Sequence, residues 1–403
     1  MTKNFIKILI VLALVGGCIS KPMTSMEIAV SKEQGRPLQK VAAVTAGGGH
    51  TCVLLLDGTA KCWGHNGIGQ LGNETVEEIS PTPVVVGGIS NVKAFAAGYL
   101  HTCAITFDDR VKCFGIDILK EFLTTRNESD IKKMDARTAR KLFSRPTEIE
   151  GISDARAIGA GRWLHICVVV SDGKVKCWGG NSTGQLGDGT TTNSTSPVVV
   201  KGVSNAVAIA AGVAHTCVVL SRGTVKCWGT DSFPGRGKIY GFRSLTPIEI
   251  DGISNATSVT AGRNHTCALL SDGTVKCWGS NILGQLGNKG AFTSSTPLKV
   301  EGVSNVIAIS AGYFYTCALR SDGTAICWGQ IAFIGTDKLH VSPPLAVEGI
   351  DNAIGITVGG NHICALLQDH TVKCWGGNKT GQLGNGSLSE FSPIPVEVIE
   401  AQL

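Results

Sequence analysis

From Val41 to Ile399 the apolar and polar positions fall into short runs that recur. The clearest unit is His265–Gly287, H-T-C-A-L-L-S-D-G-T-V-K-C-W-G-S-N-I-L-G-Q-L-G. Thr266–Leu270 and Thr274–Trp278 are apolar and β-branched, which predicts two strands, and Ser271-Asp272-Gly273 between them is a turn signal. A three-residue loop with Gly in the left-handed position is a common hairpin connection. It pairs Leu270 with Thr274, and counting outward sets Cys267 opposite Cys277. If Leu270/Thr274 is a hydrogen-bonded pair, alternation makes Cys267/Cys277 a non-hydrogen-bonded one, with Cα atoms about 4.5 Å apart. That separation is within reach of a disulfide.

The cassette occurs seven times, with nine residues between the cysteines of every pair. The expected bridges are Cys52–Cys62, Cys103–Cys113, Cys167–Cys177, Cys217–Cys227, Cys267–Cys277, Cys317–Cys327 and Cys364–Cys374. Each closes a short loop, worth roughly 2–3 kcal/mol in the chain-entropy model. Successive cassettes lie 51, 64, 50, 50, 50 and 47 residues apart, and a period near fifty signals a repeat architecture. Each unit holds four strand-like pieces. One ends in Ala-Gly or a variant (Ile209–Gly212), one carries each cysteine, and the last follows a proline (Pro197–Val200). The predicted fold is all-β, a seven-bladed β-propeller of four-stranded blades. The first strand, with its small residues, suits the crowded axis. The N- and C-terminal strands are expected to be neighbours that close the ring and remove its edges.

Several motifs recur in register: Ala-Gly-x-x-His-Thr, the Asp-Gly hairpin, Trp-Gly and Gly-Gln-Leu-Gly. On these motifs the stretch 41–399 resembles the regulator of chromosome condensation repeat family, whose fold is the seven-bladed propeller. Gly-Gln-Leu-Gly stands at Gly69–Gly72, Gly184–Gly187, Gly284–Gly287 and Gly381–Gly384 and is missing from units two, four and six. Unit two has Phe114 in place of Trp, and unit six has Tyr315 in place of His. The paired cysteines depart from the intracellular members and resemble an exported branch.

The leader agrees with export. Lys3 and Lys7 precede the apolar run Ile8–Val15, and small residues then lead to Cys18, the one cysteine without a partner. Residues 1–18 resemble a lipoprotein-type signal segment, with Cys18 as the lipidated first residue of the mature chain; an ordinary cleaved signal is the alternative. The run is short for a transmembrane span. Residues 19–39 read as a flexible tether, and 40–403 as the propeller. Export also suits seven disulfides. Zinc is the competing use of His265, Cys267 and Cys277, but the C-x-x-C knuckle is absent. No metal or cofactor is expected. The formal charge of +5 on 403 residues is mild, with no basic run dense enough to argue for nucleic acid.

Consecutive strands in a blade are antiparallel, so loops alternate between two faces. The Asp-Gly turns (Asp172, Asp272, Asp322) and the Gly-Ile-Ser-Asn connections share one nearly uniform face, where Asp serves as a turn former. The loops after the Ala-Gly strand and after Trp-Gly share the other, which varies. There Tyr99, Arg162, Trp163, Arg263, Asn264, Tyr313 and Phe314 are candidate binding residues, because aromatics and Arg anchor protein interfaces. Single exposed rings also occur without purpose, or cover neighbouring blades. An insertion at about 116–145 opens on the same face. Ile131, Met134, Thr138 and Leu142 fall there on near-helical spacing, so a short amphipathic helix is expected, either packed on the blade or joining a partner site. His50, His101, His165, His215, His265 and His362 occupy one repeat position, which reads as a structural hydrogen-bonding residue.

No Ser/His/Asp arrangement or unique carboxylate pair stands out, so the chain reads as non-enzymatic. The expected function is an exported, lipid-anchored binding scaffold. It would take an unknown protein partner on the variable face and meet the membrane through its anchor. The resemblance alone implies a guanine-nucleotide exchange factor-like regulator as the alternative, and a glycan-binding propeller is a further one.

Overall fold

The computed structural model describes residues 40–75, 77–115, 136–162, 164–231, 243–288, 292–330 and 341–399. Cys18, the leader, the tether, Trp163 and most of the insertion lie outside these residues. Seven four-stranded antiparallel sheets follow one another along the chain, each in simple sequence order. Blades 1 to 7 span Val41–Val85, Val92–Glu148, Ala155–Val199, Ala206–Glu249, Ala256–Lys299, Val306–Ala346 and Ala353–Glu397. The seven-bladed propeller read from the repeats is the fold.

The hairpin register is the one the turn dictates. Leu270 N donates to Thr274 O at 2.9 Å, and Cys267 faces Cys277. All seven expected disulfides are formed, each with Cα atoms 4.1 Å apart, as directly facing non-hydrogen-bonded pairs require. The bridges sit buried between the sheets. Seven such bonds fit an oxidising environment. Asp272 Oδ1 accepts from both the Thr274 amide, 2.9 Å, and its hydroxyl, 2.7 Å, which confirms the turn-forming role.

Trp-Gly does two jobs. The six tryptophans of this position, Trp63, Trp178, Trp228, Trp278, Trp328 and Trp375, are at most 1% exposed and wedge against the preceding blade. Trp375, for instance, packs with Leu319, Val347, Ile350 and Ile356 in a core shared by blades 6 and 7. The glycine that follows turns the strand with positive φ, +103° at Gly279, where a Cβ would stand 2.5 Å from the Asn264 carbonyl oxygen. The outermost strands carry or follow prolines, among them Pro83, Pro146, Pro197, Pro247, Pro297, Pro344 and Pro395. A proline lacks the amide that a foreign strand would need, which protects an open edge.

Closure is made between blades. All four strands of blade 7 come from the C-terminal part of the chain and all four of blade 1 from its start, so the terminal strands do not share a sheet. Instead Val41 N donates to the His370 carbonyl at 3.1 Å, and Ala46 N donates to Thr357 Oγ1 at 3.0 Å.

The helix in the insertion spans Ala136–Phe143. Of the expected apolar stripe, Ile131 and Met134 lie outside the described residues, and Leu142 is 47% exposed. The anchor is Arg140, 4% exposed, which reaches Glu78 at 2.7 Å and the Gly67 carbonyl at 3.3 Å. The described part of the insertion thus packs back onto the Gly67–Gly72 loop of blade 1. No described helix is long and apolar enough to cross a membrane.

Candidate binding face

The repeat histidines are the first layer beneath the variable face. His50 Nε2 meets Thr102 Oγ1 of the next blade at 2.8 Å, and the same link joins His215 to Thr266, His265 to Thr316 and His362 to Thr51. Thr102 gives its own proton to the Gln70 carbonyl, 2.9 Å, and Thr51 does likewise to Gln382, 2.9 Å. Each therefore accepts from a protonated Nε2, which fixes the neutral tautomer. Burial first, with neighbouring histidines adding a smaller push, lowers His50 from 6.5 to about 3. For these four histidines the role is structural, between blades, whereas His101 and His165 have neither ring nitrogen partnered among the described residues. At Tyr315 the substitution has a local reason: blade 7 carries Ile363 in place of the accepting Thr, and Tyr315 instead donates to the His362 carbonyl at 3.2 Å.

Gly-Gln-Leu-Gly was legible as a motif but not as a fastener. The Gln carbonyl accepts the indole N–H of the following blade: Trp63 to Gln382 at 2.9 Å, Trp228 to Gln185 at 2.8 Å and Trp328 to Gln285 at 3.0 Å. The Gln side chain folds back on its own loop, as Thr183 N to Gln185 Oε1 at 2.9 Å, and the Leu is buried. Trp178, Trp278 and Trp375 follow the blades that lack the motif, and their indole nitrogens have no partner among the described residues.

Above this layer the strand-end loops gather around the axis. Tyr99 of blade 2 and Tyr313 of blade 6 reach toward each other across the opening, with ring centroids 6.4 Å apart. Phe314 stands 6.0 Å from Tyr313. The Arg162 guanidinium of blade 3 lies 3.8 Å over the Tyr313 ring, and that of Arg263, from blade 5, 5.3 Å from Phe314. These are cation–π distances. Five of the seven expected residues therefore form one cluster drawn from four blades. Asn264 does not join it: its Nδ2 donates to the Asp231 carbonyl at 2.8 Å. Trp163 lies outside the described residues.

The glycines of blades 1 and 7 make the cluster possible. A Cβ on Gly48 would fall 2.3 Å from the Tyr99 ring, and one on Gly360 would fall 2.2 Å from the Gly48 oxygen. Gly48 is thus the room against which the Tyr99 ring lies, and Gly360 lets the blade 7 loop approach Gly48. Beside the rings runs a groove of about 350 Å³, walled by Gly49, Tyr99, Tyr313, Asn361, Lys379 and Glu390. Beneath them is the central channel, a void of about 130 Å³.

A family model for the regulator of chromosome condensation (RCC1) repeat matches residues 41–70, 92–117, 155–185, 206–233, 256–285 and 353–382. A second model of the same description matches 172–219 and 272–319, and together they span more than half of the chain. The chain belongs to the RCC1 repeat family. The human probable E3 ubiquitin-protein ligase HERC4 is 32% identical over 169 residues, 42% of this chain and 15% of that protein. The ultraviolet-B receptor UVR8 of Arabidopsis thaliana is 28% identical over 164 residues, 40% of this chain and 34% of the receptor. These regions lie in the repeats, so this RCC1-repeat chain matches only a minor part of either relative. Yeast RCC1 (Prp20), in its complex with Kap60, superposes with a TM-score of 0.70 at 19% identity, over 94% of this chain and 91% of Prp20. Human WBSCR16 gives 0.69 at 21% identity, over 84% and 92%. Both likenesses are of fold.

Proposed function

We propose that this RCC1-repeat propeller is an exported, lipid-anchored, non-enzymatic scaffold that binds a protein partner on the face of Tyr99, Arg162, Arg263, Tyr313 and Phe314. The observation that carries the reading is the cross-axis cluster. Two tyrosines from distant blades meet over the opening, beside two guanidiniums, at a place where the repeat demands neither. Tyr99 remains 42% exposed although its neighbours are shaped around it. Rings and guanidiniums held at low conformational cost are what interface anchors need. Yeast Prp20 is described with binding properties to Gsp1p and histones and in complex with Kap60, which favours protein ligands for this architecture. Export rests on the seven disulfides, and anchoring on Cys18 behind its apolar leader.

The test is site-specific photo-crosslinking in cells that export the protein, with a photoreactive phenylalanine at position 313 or, on the opposite face, at 272. A discrete adduct from 313 and none from 272 is expected, and its loss on Tyr99→Ala. Equal patterns from both positions would end the reading. Intact mass of the purified protein should show a lipid on Cys18; an unprocessed chain would remove the anchor.

A further inference from the structure

The central channel carries a cation at each end, and the two ends are finished differently. At the far face, Lys93 pairs with Asp109 and donates to the Ala155 carbonyl at 3.3 Å, while Asp109 also takes Arg156 at 2.9 Å. At the mouth stands Arg162. Its guanidinium face is covered by Tyr313, yet a ring under a guanidinium satisfies none of the in-plane N–H groups. Nη1 is buried without a hydrogen-bond partner, and no carboxylate among the described residues lies within ion-pair distance of it. The hydroxyls of the channel wall already serve backbone amides. Thr260, Ser310 and Thr357 line the void, and their oxygens already accept the amides of Ala311, Val358 and Ala46 at 2.9, 2.9 and 3.0 Å. The Arg162 charge is felt nearby: burial, and then this guanidinium, lowers the His362 ring to about 3.

A buried donor on an uncompensated charge is costly to leave unmade. We infer that the channel mouth is a carboxylate site, in which the Arg162 fork takes the two oxygens of one carboxylate while Tyr99 and Tyr313 flank its carbon skeleton. One guanidinium matches one negative charge, and its planar fork matches a carboxylate in geometry. The carboxylate belongs to a small organic acid or to a chain end or acidic side chain of a protein partner. In the second case the site rests on the binding-face reading and names the partner's anchor.

Binding of acetate, benzoate and a short peptide with a free or an amidated C-terminus is measured by intrinsic fluorescence and thermal midpoint. Ionic strength is held constant with chloride. Saturable binding to the wild type is expected, weakened about tenfold in Arg162→Gln, which corresponds to about 1.4 kcal/mol, with chloride inert. Preference for the free-ended peptide assigns the site to a protein partner; acetate and benzoate binding without peptide binding assigns it to a small acid. Equal affinity in Arg162→Gln, or a chloride response equal to that of acetate, overturns the site. Should that variant fail to fold by circular dichroism, Arg162→Lys decides, since it keeps the charge and loses the fork: unchanged affinity would overturn the proposal. If no carboxylate binds while position 313 still cross-links a partner, the carboxylate site falls and the binding face stands. Carboxylate binding without cross-links would leave the small-acid form of the site and remove the face.

Discussion

Blade 7 meets blade 1 with no peptide joining them, whereas blades 2 and 3 are consecutive in the chain, and the two interfaces are built differently. At the closure His362 bonds Thr51, and both Thr51 and the Trp63 indole end on the Gln382 carbonyl. Thr380 adds a bond to Gly49 O at 3.1 Å, and Gly360 N one to Gly47 O at 2.9 Å. Between blades 2 and 3 almost none of this exists. Ile166 replaces the accepting Thr, and His101 has neither ring nitrogen partnered among the described residues. Apolar packing of Ile105, Ile158, Ile166 and Trp178 holds that joint, with the ion pairs of Asp109 at its far end. The difference teaches where directional bonds matter. The bonds follow the motif and not the tether. Blades 3 and 4, also consecutive in the chain, are joined by Thr216 and Trp228 on the Gln185 carbonyl. Blade 2, by contrast, lacks Gly-Gln-Leu-Gly, and blade 3 lacks the accepting Thr.

Acid should act on both joints, and most strongly. Six repeat histidines are buried and neutral; burial holds His101 at about 4 and the other five at about 3, against 6.5 when exposed. The folded state binds fewer protons than the unfolded one, so this stability is complete above 6.5 and is lost as pH falls toward the folded values. Each ring costs about 2 kcal/mol by pH 5, and six together rival the stability of a whole domain. Cooperative unfolding is expected between about pH 5 and 4, and amide exchange should rise first in blades 2 and 3, where His101 charges most easily. A protein still folded at pH 3.5, or one that opens first at blades 7 and 1, would break the comparison.

The disulfides come next. Replacing Cys364 and Cys374, or Cys103 and Cys113, by Ser should cost about 2–3 kcal/mol in either blade. In the closing blade the loss should also loosen the ring, seen as proteolysis near His370, whereas the blade 2 variant should stay closed. Equal proteolysis in both would show that closure does not depend on the rigidity of blade 7.

A smaller effect separates the two joints directly. His362→Ala removes the donor to Thr51 from a buried site and should destabilise by about 1–3 kcal/mol. His101→Ala deletes a ring that makes no such bond, so its cost is packing alone and should be the lesser in a urea titration. A larger cost at position 101 would mean that its ring is partnered after all.

Much of this was open to reading in the sequence because it repeats. Seven equal cysteine spacings fix the hairpin register, and the Ala-Gly, Trp-Gly and proline positions fix the strand order. Departures from the repeat were visible as letters but not as geometry. Ile166 stands where most blades carry Thr and removes the acceptor that His101 would use, and Ile363 stands at the same place opposite Tyr315. Tyr315 is intelligible only once Ile363 is seen beneath it. The aromatic cluster was legible residue by residue, since Tyr99, Tyr313 and Phe314 are rings at loop positions where the repeat asks for none. That Tyr99 and Tyr313 meet is not legible, because 214 residues separate them and only the closed ring brings them to 6.4 Å. Asn264 was legible as a polar residue on a variable loop, but its bond to the Asp231 carbonyl was not.

The finest test of the comparison lies in the tryptophans. Trp228→Phe removes an indole N–H that ends on the Gln185 carbonyl, which keeps Thr216 as a second donor at 3.0 Å. The expected cost is about 0.5–1.5 kcal/mol. Trp178→Phe removes an N–H with no partner among the described residues, from a ring of nearly the same shape, so the saved desolvation offsets the lost contact and the change should be near neutral. Blade 2 carries this experiment already: Phe114 stands where Gln70 offers its carbonyl, which Thr102 uses. A measured loss in Trp178→Phe as large as in Trp228→Phe would mean that the Trp178 indole has an acceptor and that the joint between blades 2 and 3 is fastened after all.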